Sequence, residues 1–66
     1  MKTKTINELR AEFENMAMNN MFGITRNDQG EYIGTTFCLW AGYWECAKIN
    51  GIITGEDALF KNMNKL

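Results

Sequence analysis

The stretch Thr36–Ile49, TFCLWAGYWECAKI, constrains this chain more than any other. Phe37, Trp40, Ala41, Trp44 and Ala47 recur at spacings of three and four and form one apolar stripe of a helix. Leu39, Tyr43 and Cys46 form a second stripe on another side. Glu45 and Lys48 are its only charged residues, and both sit near its end. A helix with so little polar surface must be covered on two sides, by the rest of its own short chain or by another chain.

The chain has 66 residues, 45% hydrophobic and 23% charged, which reads as a single domain spanning 1–66. Chains of this size gain only about 3–5 kcal/mol from one core unless they are stapled or oligomeric. Cys38 and Cys46 do not offer a staple. Eight residues apart on one helix, their Cα atoms lie about 12 Å apart, beyond the roughly 7 Å a disulfide spans. They read as reduced, buried cysteines of a cytoplasmic protein.

The first helix is announced by Thr5-Ile6-Asn7-Glu8, a capping box in which hydroxyl and carboxylate each satisfy the other residue's backbone N–H. Ile6, Leu9, Phe13, Met16, Ala17 and Met21 continue it as one apolar stripe, with the methionines filling gaps in the core. The helix is expected to run to Asn20 or Phe22 and to end on Gly23 in the left-handed conformation. A β-hairpin is expected next, residues 23–27 paired with 31–34, with Gly30 at a positive φ and Ile24 and Tyr32 facing inward. Thr35 or Thr36 is the expected cap of the central helix, and Asn50-Gly51 its end, with Ile52 and Ile53 packing back. Thr54 then starts a short last helix whose stripe is Ala58, Leu59, Phe60, Met63 and Leu66. The expected class is therefore α+β, in the order helix, short hairpin, central apolar helix, short C-terminal helix (αββα-α).

From Leu9 to Lys48 the chain resembles a group of small uncharacterised proteins from tailed bacteriophages. The shared pattern is Phe13-Glu14, Gly23, Gly30-Glu31-Tyr32 and Thr36-x3-Trp40-x3-Trp44. The second helix of that group is often more polar than this one, and the residues after Gly51 lie outside the pattern. The resemblance implies a phage origin and an αββα layout. Small phage proteins of this kind often bind and disable a host protein, for which a defence nuclease complex or a polymerase is a plausible target.

The residues themselves point away from catalysis. There is no His, no Gly-rich phosphate loop, and no nucleophile paired with a base. Glu8 and Glu12 share a helix face and read as solvated surface, as do Lys2 and Lys4. No cofactor is implied, and two cysteines without histidine do not make a four-ligand metal site. Nucleic-acid binding is disfavoured because net charge is −1 and Lys48 is the only cation near Trp40, Tyr43 and Trp44. No run is long enough for a membrane span, and no secretory h-region follows the N-terminal lysines. What remains is protein binding. Two indoles and a Tyr on one helix are the residue types that anchor interfaces. Leu39, Trp40, Tyr43 and Cys46 are the candidate contact residues on the central helix, and Arg26 and Asp28 those at the hairpin tip. An alternative buries Trp40, Trp44 and Phe37 in the core, and a symmetric homodimer through the central helix is a third arrangement.

Overall fold

The computed structural model describes residues 3–63; the expected roles of Lys2 and Leu66 fall outside them. Two helices carry the fold: α1, Ile6–Asn19, and α2, Thr35–Ile49, followed by two 3-10 turns at Gly55–Ala58 and Phe60–Asn62. Helix α1 starts where the capping box places it. The Thr5 side chain accepts from Glu8 N–H at 3.2 Å, and Thr5 N–H donates to Glu8 Oε1 at 2.9 Å.

The two helices run in opposite senses. Phe13 packs on Trp40 and Tyr43 with ring centroids 5.1 and 5.6 Å away, while Gly23, just past α1, meets Thr36 at the start of α2. Ile6, Leu9, Phe13 and Ala17 from α1 join Trp40, Trp44 and Ala47 from α2, and Tyr32, Ile53 and Met63 close the core. Trp40 and Tyr32 are among its largest fully buried side chains.

The α+β expectation is wrong: among the described residues the chain is all-helical and has no strand. The segment expected to be a hairpin keeps a single antiparallel bridge, Arg26 with Tyr32. Its turn is held by Asn27, whose Oδ1 accepts from the N–H groups of Gln29 and Glu31 at 2.9 and 3.0 Å. A side chain thus takes backbone donors that a ladder would use. With no third strand to pair, a two-stranded ribbon gains too little to extend. Tyr32 is buried all the same, and Gly30 has φ 82°. The last helix also fails to form as an α-helix. Thr54 makes no side-chain cap bond, and the segment folds as short 3-10 turns instead.

Helix boundaries differ from expectation at two points. Neither Thr35 nor Thr36 caps α2. Gly34, at φ 65°, occupies the N-cap, and the Thr36 hydroxyl donates to the Gly23 carbonyl at 2.7 Å. Nor is Gly23 the left-handed residue after α1: Met21 is, at φ 65°. Phe22 N–H reaches Ala17 O at 2.8 Å and Met21 N–H reaches Met18 O at 3.0 Å, a Schellman motif. The end of α2 repeats it, with Ile52 N–H on Ala47 O at 2.9 Å, Gly51 N–H on Lys48 O at 3.1 Å, and Gly51 at φ 71°. The same backbone turn is built once on glycine and once on methionine.

Candidate partner-binding groove

The antiparallel packing leaves a groove where the N-terminal half of α1 faces the C-terminal half of α2. Leu9 and Glu12 form one wall, Tyr43, Cys46 and Ala47 the other, and Lys4 and Ile52 close the end. Lys4 is held there because its N–H donates to the Ile52 carbonyl at 2.7 Å, joining the segment before α1 to the one after α2. It is therefore not a loose, solvated terminus.

The floor is apolar and the rim polar. Lys4 Nζ pairs with Glu12 Oε2, and the Tyr43 hydroxyl lies 3.4 Å from Glu12 Oε1. The bond to Glu12 holds the Lys4 ammonium above its ordinary pKa. Burial, then the neighbouring Glu12 charge, raise the Tyr43 phenol. At neutral pH the rim thus presents a matched ammonium–carboxylate pair beside a protonated hydroxyl. The groove holds about 150 Å3. Drug-sized ligands occupy clefts of roughly 300–1,000 Å3, whereas about 150 Å3 suffices for a benzene-sized group. The space suits one apolar side chain.

Of the residues singled out from the sequence, Tyr43 and Cys46 meet at this groove. Leu39 is half-buried against the core and does not line it. Trp40 offers no surface to a partner, being 1% exposed, and its candidacy as a contact residue is corrected on that ground. Arg26 is half-buried with its guanidinium over the Tyr32 ring at 5.8 Å, and Asp28 is exposed on the Asn27 turn. Neither belongs to the groove. The expectation of buried cysteines is also overturned, since Cys38 and Cys46 are both free and exposed. The outer side of α2 carries the small residues Cys38, Gly42 and Cys46 and ends in one large exposed apolar side chain, Ile49.

Two features had no signal in the sequence. Arg10 is buried, its guanidinium stacked on Trp40 at 4.7 Å and Tyr32 at 5.2 Å, and its Nη2 donates to the Met63 carbonyl at 2.5 Å. Met21, expected in the core stripe, is 94% exposed, and Met18 and Phe22 beside it are also exposed. Its exposure follows from the left-handed turn, which ends the helical spacing at Asn20.

Among the described residues no helix is long and apolar enough to cross a membrane. No protein-family model matches the chain, and no curated protein or solved structure is significantly similar to it.

Proposed function

We infer that this chain is a protein-binding module that acts without chemistry of its own, receiving an apolar anchor side chain of another polypeptide in the α1–α2 groove. The observation that carries this reading is the groove's size and lining: room for one side chain, an apolar floor of Leu9, Ala47 and Ile52, and a polar rim of Lys4, Glu12 and Tyr43. Interfaces draw most of their energy from a few buried anchors ringed by polar groups that exclude water. On the resemblance to small phage proteins, the partner is a host protein in the bacterial cytoplasm that the chain inhibits or redirects.

The experiment is capture from bacterial lysate with the wild-type chain and with C46W, which fills the groove from its exposed wall. Tyr43→Ala serves as a second variant that opens the groove. Loss of the same partner from both variants, with helix content unchanged by circular dichroism, supports the reading. Equal recovery by folded C46W removes the groove as the binding site.

A further inference from the structure

The segment Gly55–Met63 sits on the two-helix body much as a bound peptide would. Of the buried core side chains it supplies only Met63; the others belong to α1, α2, Tyr32 and Ile53. Its Leu59 and Phe60 are exposed, and Phe60 meets the body through an edge contact on Trp44 at 6.3 Å. Its own backbone bonds are local: Leu59 N–H to Glu56 O, Asn62 N–H to Leu59 O, and Met63 N–H to Phe60 O. The ties to the helices run the other way, from side-chain donors of the body to two carbonyls of the segment. Trp40 Nε1 and Arg10 Nη2 converge on Met63 O at 2.8 and 2.5 Å, and Trp44 Nε1 reaches Asp57 O at 3.2 Å. What the body reads is therefore peptide backbone and one methionine side chain.

The joint before the segment is free to turn. Thr54 is exposed and extended, at φ −143° and ψ 174°, and makes no side-chain cap bond. Gly55 follows at φ 60°, with open space where a β-carbon would stand. Ile53, 1% exposed, stays anchored on the body side of the joint. Rotation at Thr54–Gly55 thus unseats the segment while disturbing no core side chain except Met63. The freed residues regain backbone entropy, and 3-10 turns give up little on leaving. Segments with so few buried apolar contacts open at a free energy below that of global unfolding.

We propose that Gly55–Met63 is an autoinhibitory strap, which opens as a unit at Thr54–Gly55 while α1 and α2 stay folded, and that it covers a docking site for a peptide of another polypeptide. The chemistry of that peptide is set by the strap's own pose: an unbranched apolar residue in the place of Met63, with its carbonyl on Trp40 and Arg10. Opening removes the acceptor those two donors share. A donor buried without an acceptor is costly, so the site is refilled by the returning strap or by the incoming peptide. While seated, the strap lowers the apparent affinity for that peptide by the fraction of chains that are open. None of Arg10, Trp40, Trp44 and Met63 lines the α1–α2 groove, so the two sites stand independently.

The test is native-state hydrogen exchange of the full chain by NMR. The indole N–H protons of Trp40 and Trp44 belong to α2 but bond to the strap, so they report on its opening. They are expected to exchange with the same opening free energy as the amides of Leu59, Asn62 and Met63, at least about tenfold faster than the backbone amides of Trp40 and Trp44. Indoles protected as strongly as those backbone amides, or strap residues that open separately, overturn the proposal. The second arm adds a synthetic amidated peptide of residues 54–63 to the full chain carrying Met63→Ala, whose own strap seats poorly. Helix content by circular dichroism is expected to persist, and the peptide is expected to shift the Trp40 indole resonance. Its affinity should be at least about tenfold higher than for wild type, and Met63→Asp in the peptide should abolish the shift. Loss of the helices in Met63→Ala, or a Trp40 indole that does not respond to the peptide, overturns the proposal.

Discussion

The indole N–H of Trp40 donates to the backbone carbonyl of Met63 at 2.8 Å, a buried bond between α2 and the last turn of the described chain. Arg10 Nη2 donates to the same carbonyl, so one oxygen joins both helices to the C-terminal segment. Trp44 Nε1 adds a second tie, to Asp57 O at 3.2 Å, and Asn62 Nδ2 binds Glu56 O across the two 3-10 turns. Short 3-10 turns have little stability of their own. These side-chain bonds and the buried Met63 are what hold the segment over the core.

Trp40→Phe keeps an aromatic ring at that position and removes the donor. A buried hydrogen bond contributes about 1 kcal/mol, and the smaller ring leaves a void beside Phe13 and Arg10. The expected loss is about 1–3 kcal/mol by urea denaturation, with faster amide exchange at Asn62 and Met63 than in α1. An unchanged midpoint would show that the carbonyl contact adds nothing.

Met21→Gly is expected to stabilise the fold by about 0.5–1 kcal/mol, the left-handed penalty at φ 65° less the extra chain entropy of glycine. For a domain this small, 1 kcal/mol corresponds to roughly 4–8 °C in melting temperature, which calorimetry at low concentration resolves. A lower melting temperature would mean that the Met21 side chain makes contacts within its own chain.

The start of α1 offers a third check. Thr5→Ala removes the acceptor for Glu8 N–H and weakens the reciprocal bond from Glu8. The expected destabilisation is about 0.5–2 kcal/mol, read as a drop in denaturation midpoint. Thr5→Ser, which keeps the hydroxyl, should restore most of it.

These particulars show how far residue patterns carried. The start of α1 was legible because a capping box is a local device whose partners are three residues apart. The span of α2 was legible because only a helix accommodates so many apolar residues at those spacings. The inward side of α2 was also legible, since the stripe of Phe37, Trp40, Ala41, Trp44 and Ala47 is the one that packs on the core. What spacing did not separate was contact residue from core residue: Trp40 and Cys46 both count as apolar candidates, yet one is sealed in the core and the other is open. The hairpin was misread because Ile24, Thr25, Tyr32 and Ile33 favour strands locally, while a sheet needs partners that this chain lacks. Of the groove, Tyr43 and Cys46 were legible from α2. Leu9, Glu12 and Lys4 join them only through the tertiary crossing, which no spacing within one helix reveals.

The exposed cysteines make a direct prediction. Both Cys38 and Cys46 should react with a small thiol reagent in the native state, without denaturant. Cys46 stands in the groove wall and Asn50 Nδ2 approaches its sulfur at 3.4 Å. Mass spectrometry of the labelled peptides reads both sites, and a Cys46 that stays unlabelled in the native chain would contradict its exposure.

Alkaline pH should weaken the fold through Tyr32. Its phenol is pushed up to about 12, first by burial and then by the hydrogen bond it donates to Glu14 Oε2 at 2.6 Å. Below pH 10 the phenol is protonated in both folded and unfolded chains, so the contribution to stability is complete. Between pH 10 and 12 the unfolded chain releases the proton while the folded chain retains it, and stability therefore falls as pH rises through that window. A rise from 10 to about 12 corresponds to at most about 2.7 kcal/mol, which solvent around half-buried Glu14 reduces to about 1–2 kcal/mol. Tyr43, raised in the same direction, adds to the fall with the same sign. Urea denaturation at pH 9 and pH 11.5 measures the difference. Tyr32→Phe should be less stable at pH 9 for want of the Glu14 bond, yet lose less on going to pH 11.5. An equal alkaline loss in wild type and Tyr32→Phe would assign the effect to other groups.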